Sequence, residues 1–97
     1  MEVIAVGKAL SSETRIRILR LLSERARSSI ETFERYGEEY DDEKRRETIY
    51  RELENLVETG LLAKEYNETA GRIEYRLRNR RLLFDLESST VEPYEDG

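Results

Sequence analysis

The chain contains no cysteine and no histidine. Those absences exclude disulfide staples, thiolate nucleophiles, Cys/His zinc sites and every mechanism built on an imidazole. Tryptophan and glutamine are also missing, and there is a single methionine and a single proline. No stretch approaches the ~18–20 apolar residues that a membrane span requires. The opening MEVIAVGKAL is too short for a secretory h-region and lacks a charged leader, so it is read as structure and the cytoplasm is the expected compartment. Asn67-Glu68-Thr69 matches a glycosylation sequon, read as chance without a secretory signal. Only a carboxylate metal site remains conceivable, nothing points to one, and no cofactor is expected.

What is abundant is charge: 40% of the residues are charged and the net is −5. The acidic total argues against a polyanionic partner, but distribution matters more than the sum. Between Glu31 and Glu43 seven acids face only Arg35, and between Asp85 and Gly97 five acids meet no base. From Lys44 to Arg51, by contrast, four bases face only Glu47, and from Arg72 to Arg81 five bases face only Glu74. The cations therefore fall in two patches.

At 97 residues one domain is expected, spanning 1–88, with 89–97 a frayed acidic tail. Val3, Val6 and Leu10 have helical spacing. Ser11 is placed to cap a second helix, SSETRIRILRLLSE, with Ile16, Leu19 and Leu22 as its stripe and Ile18 and Leu21 beside them. Ser28 and Glu31 have the spacing of a capping box, opening a third helix whose buried side is Ile30, Phe33 and Tyr36 or Tyr40. The acidic YGEEYDDE reads as a turn, with Asp41 or Asp42 capping the next helix.

That fourth helix carries Ile49, Leu53, Leu56 and Val57 on one side, and Gly60 is a natural terminator. The period then drops to two. Leu62, Lys64 and Tyr66 alternate with Ala63 and Glu65; after the NETAG loop, Arg72, Glu74, Arg76 and Arg78 alternate with Ile73, Tyr75 and Leu77. This predicts a β-hairpin with one apolar and one mainly cationic face. Asn79 is positioned to cap a last short helix, RRLLFDLES. The fold class expected is mainly α with a small β-hairpin.

On the fourth helix, turning ~100° per residue from Ile49, the side opposite the stripe holds Glu47, Arg51, Lys44, Asn55, Thr48 and Glu58. Arg45 and Arg46 lie in the first turn and Tyr50 at the stripe's edge. Arg and Asn can contact base edges bidentately, and the positive end of the helix dipole suits phosphates. The plainer reading pairs Arg51 with Glu47 at i,i+4 on an ordinary solvated face. For the hairpin, Arg72 and Arg76 could straddle a phosphate backbone or simply protect a strand edge.

KALSSETRIRILRLL resembles the second-helix signature of ArsR-type winged helix-turn-helix regulators. ETIYRELENLVETGLL, continued by GRIEYRL, resembles the recognition helix and wing of that broad class, and TIYREL is similar to ferric-uptake regulators. The resemblance covers residues 8–78. It implies a positioning helix over Ser28 to Tyr36, a recognition helix over Lys44 to Thr59 and a wing over Lys64 to Arg78. Lys44, Arg45, Arg46, Thr48, Tyr50, Arg51, Asn55, Arg72 and Arg76 would then face DNA. Metal sensing of the usual kind is not implied, since its Cys and His ligands are missing, and the 37–48 stretch is longer than the usual tight turn.

The function expected is sequence-specific binding of double-stranded DNA as a transcriptional regulator. A homodimer is expected from spare apolar side chains in the first helix (Val3, Val6) and the last (Leu82, Leu83, Phe84, Leu86). The alternative is a winged helix that serves as a protein-interaction module, with EEYDDE meeting a basic partner. An enzyme is not expected: Asp41 and Asp42 are the best acid/base candidates, and capping explains them more simply.

Overall fold

The structure, a computed structural model, describes residues 1–95. Four helices lead into two antiparallel hairpins: α1 (Val3–Leu10), α2 (Glu13–Glu24), α3 (Ser29–Glu39), α4 (Arg46–Glu58), β1 (Leu62–Asn67), β2 (Arg72–Leu77), β3 (Leu82–Asp85) and β4 (Thr90–Pro93). Each pair of consecutive strands forms its own sheet, so the architecture is mixed α/β. Among the described residues, no helix is long and apolar enough to cross a membrane.

The core is built from Ile18, Leu21 and Leu22 of α2, Tyr36 of α3, and Ile49, Leu53 and Leu56 of α4, closed by Leu61, Leu62 and Tyr75. The centre of α2 is thus rotated from the expected stripe. Ile16 and Leu19 are only half-buried. On α3 the expected burial of Ile30 fails: it is 51% exposed, while Thr32 takes a core position. Ile30 lies six residues before Tyr36, ~120° around the helix, and Thr32 is tolerated inside because its hydroxyl donates to the Ser28 carbonyl at 2.8 Å.

Helix starts are set by three side-chain caps. Glu2 accepts from the Ile4 and Ala5 amides at 2.8 Å each. Ser12, rather than Ser11, caps α2 by accepting from Arg15 N; Ser11 instead closes α1. Ser28 and Glu31 form the expected capping box, at 3.1 and 3.0 Å. The fourth start differs. Neither Asp41 nor Asp42 caps α4; Arg45 occupies that position and gives no side-chain hydrogen bond. Gly60 ends the helix region at φ +87°, where a side chain would be strained.

The first hairpin pairs Leu62 with Leu77 through Asn67 with Arg72, as the alternation predicts. A single bridge, Arg27 with Tyr75, adds a third chain segment to its edge: Arg27 N donates to Tyr75 O at 3.0 Å and Tyr75 N to Arg27 O at 2.8 Å.

The expected last helix is absent. Residues 82–85 and 90–93 form β3 and β4 instead, joined by a turn in which Ser89 adopts φ +57°. An apolar run as short as LLFDL does not tell strand from helix by its periodicity; here it pairs with 90–93, and that strand is tied in turn to the chain's start. Val91 exchanges backbone hydrogen bonds with Met1 at 3.0 and 3.2 Å and is buried against α1. The tail expected to fray is therefore paired through Pro93; of that stretch, Asp96 and Gly97 lie outside the described residues.

Candidate nucleic-acid interface

The first half of α4 presents its cations without neutralising partners. Arg45, Arg46 and Arg51 are exposed, and among the described residues none of the three has an ion pair. Arg51 therefore does not take the Glu47 pairing of the plainer reading. With no side-chain cap, the free amides of the first turn also point outward, and their partial positive charge adds to the arginines. Thr48 and Asn55 are half-buried on this helix, and Tyr50 is 49% exposed.

The acidic loop before α4 is less exposed a charge than its sequence suggests. Asp42 accepts from the Tyr36 hydroxyl at 2.7 Å and from Arg17 at 3.1 Å, and lies 3.4 Å from Lys44 Nζ. Tyr36 foremost, with Lys44 and Arg17, holds the Asp42 carboxyl below its ordinary pKa. Arg17 also sits over the Tyr40 ring at 4.7 Å and pairs with Glu13. This cluster fixes the approach to α4 but engages Lys44, leaving it less available than the three arginines. Asp41 and Glu43 remain exposed.

The expected cationic hairpin face is corrected. In the observed register Ala63, Glu65, Asn67, Arg72, Glu74 and Arg76 share one face, so two acids offset two bases. Arg76 pairs with Glu65 across the strands. Arg72 reaches Glu74 at 3.0 Å and, on α3, Glu31 at 2.9 Å. Alternation along one strand reveals the arginines; it cannot show the carboxylates that register and packing bring beside them.

The opposite hairpin face meets α4. The Tyr75 hydroxyl donates to Glu54, which also binds Lys64 Nζ at 3.0 Å. These contacts lower the pKa of Glu54 and raise that of Lys64, and burial together with the Glu54 bond raises that of Tyr75. Further out, Tyr66 and Ile73 stand opposite each other and exposed at the hairpin's tip.

Two shallow grooves connect these parts. One, of about 310 Å³, is lined by Ser29, Ile30, Phe33, Arg46, Glu47 and Tyr50. The next shares Ser29 and Ile30 and extends to Arg72 and Ile73. Arg46 and Arg72 therefore flank the start of α3 from two sides, whereas Arg76 turns toward Ala26. Sequence reading misses Ile30 and Ile73 as surface residues because both occupy positions that alternation or helical spacing assigns to a core. No family model matches the chain, and no curated protein matches it.

Proposed function

We propose that the chain is a winged helix-turn-helix transcriptional regulator, ArsR-like in class, that binds double-stranded DNA as a homodimer. The observation that carries this reading is that Arg45, Arg46 and Arg51, at the N-cap and in the first two turns of one helix whose start has no side-chain cap, are exposed and have no ion pair among the described residues. Burial of α4's other side against the core holds that helix firmly enough to present them to a groove. The order of elements supports it too. A helix, one bridging residue, two further helices and a hairpin, with the bridge on the hairpin's edge, is the arrangement expected of a winged helix.

In this reading α3 positions α4, and α4 enters the major groove with Arg51 and Asn55 toward base edges and Arg45 and Arg46 toward phosphates. Thr48 and Tyr50 border that contact, and Lys44 supports it from the loop. The hairpin is a minor contributor, since Arg72 and Arg76 must leave glutamates to reach a phosphate. No catalytic step is proposed: Asp42 is occupied by Tyr36, Arg17 and Lys44. The test is titration of random-sequence duplex at low and moderate salt, followed by selection of bound sequences. Nonspecific binding with steep salt dependence and enrichment of a two-fold-symmetric site are expected; no binding at low salt for any sequence ends this reading.

One observation favours a second reading. Ile30, Tyr50, Tyr66 and Ile73 are large apolar or aromatic side chains left exposed around the same helix starts and hairpin, where a protein partner would cover them. A protein-interaction module would ignore DNA at low salt and co-purify with a stoichiometric partner that Ile73→Ser and Tyr66→Ser release.

A further inference from the structure

A different groove, of about 380 Å³, runs between α2, the end of β2 and β3. Its floor is apolar, with Leu10, Ile16, Leu19, Leu77 and Leu82, and Phe84 forms one wall. Every charged side chain along it is an arginine: Arg20 and Arg80. Arg80 is laid across the α2 rim by a 2.9 Å bond to the Ser23 carbonyl, and Arg20 is exposed with no ion pair among the described residues. An occupant matched to this groove is apolar in the middle and acidic at its edge.

The chain carries such a feature at the neighbouring β3–β4 turn. Leu86 is 80% exposed, beside the exposed carboxylate of Glu87. The turn is structured: Asp85 accepts from the Glu87 and Ser88 amides at 3.0 and 3.1 Å, and the Ser88 and Thr90 hydroxyls are 2.8 Å apart. Leu86 is thus held out in water by a formed turn, where burial against an apolar surface would be favourable.

We propose that a second copy of this chain seats its Leu86–Glu87 turn in this groove, and receives the first copy's turn in return. Phe84 lines the groove and Leu86 follows two residues later, at the start of the β3–β4 turn. A two-fold axis beside Phe84 therefore brings each turn over the other copy's groove, so both contacts form together as one isologous interface. Leu86 meets the leucine floor and Glu87 meets Arg20. This names the surface of the dimer proposed above and rests on that dimer alone, not on DNA binding.

The test is sedimentation equilibrium of the full chain without DNA, across a wide concentration range. Wild-type protein is expected to dimerise. Leu86→Ser is expected to raise the dimer Kd about 100- to 10,000-fold, because the symmetric dimer loses two seated leucines. Arg20→Glu and Glu87→Arg should each weaken the dimer, and the double variant Arg20→Glu/Glu87→Arg should restore it. All three positions are surface ones, and circular dichroism checks that each variant folds. A dimer indifferent to Leu86→Ser and to the charge exchange overturns this interface and leaves the dimer itself standing. A wild-type chain that stays monomeric overturns both, as does a monomer that binds one long-chain fatty acid per groove.

Discussion

The Tyr36 hydroxyl donates a 2.7 Å hydrogen bond to the Asp42 carboxylate, so the loop that delivers α4 is fastened to the buried face of α3. Asp42 does not cap α4, as its position in the sequence suggests; it gathers Tyr36, Arg17 and Lys44 around one carboxylate. Tyr36→Phe removes this bond with little change in core volume. The expected result is a Tm lower by about 4–8 °C, the shift that ~1 kcal/mol produces in a domain of this size. Duplex affinity should fall with it, without a change in preferred sequence, because the loop then holds Arg45 less firmly. Differential scanning calorimetry and competition binding measure the two effects.

Unequal pairing of the arginines makes a prediction about salt. Removing one cation that touches a phosphate should flatten the plot of log K against log salt by about 0.9. Arg45→Ala and Arg46→Ala remove cations that have no competing ion pair, and each is expected to show nearly that full change. Arg76→Ala, which mostly frees Glu65, should leave the slope almost untouched. Arg51→Ala and Asn55→Ala should instead blur base preference. Equal slope changes at Arg46 and Arg76 would contradict the assignment.

Glu54 links α4 to the hairpin, and its stabilising effect depends on pH. The Tyr75 hydroxyl first, then Lys64, lowers its pKa from the ordinary 4.5. A carboxylate whose folded pKa is depressed adds stability above its unfolded pKa and loses it as pH falls through the folded value. Asp42 and Glu31 act in the same sense, Glu31 chiefly through the Ser28 amide. Urea unfolding should therefore show constant stability near neutrality and a decline once the pH drops below about 4.5. Tyr75→Phe removes the largest cause at Glu54. It should cost about 1–2 kcal/mol at neutral pH and make the acid decline shallower.

Arg27 is a buried cation with a structural assignment. Its Nε donates to the Leu21 carbonyl at 3.1 Å and Nη2 lies 3.4 Å from Glu24, while its backbone pairs with Tyr75. Arg27→Met keeps an unbranched stem out to about the Nε position but removes the guanidinium and leaves the Leu21 carbonyl without this donor. A loss of about 1–3 kcal/mol in chemical denaturation is expected, with no effect on the salt slope.

Helix and hairpin signals of short range are legible in the sequence. Ser28 and Glu31 announce a capping box, Gly60 a stop, and the period-two run after Leu62 a hairpin. Features decided by distant partners are not. The second hairpin's β4 is also bonded at Val91 to Met1, nearly the whole chain away. The pairing of Arg72 with Glu31 requires α3 and β2 to meet, which no spacing along the sequence encodes. At the candidate interface Arg51 faces solvent, as helical spacing predicts, and Arg45 and Arg46, beside the stripe on that spacing, are exposed as well; the hairpin's arginines are visible on one strand only, and the other strand supplies Glu65. Ile30 misleads because an apolar side chain at a helix start mimics the stripe that Thr32 and Tyr36 in fact define.

Tyr75 is joined through its backbone to the segment between α2 and α3, and through its hydroxyl to α4. With one residue tying the ribbon to both, any movement of the ribbon against the helix beside it has to break the Tyr75–Glu54 hydrogen bond. On the proposed reading, a duplex lying across both would meet two elements already fastened to one another, so that loosening Tyr75 would be felt at both contacts.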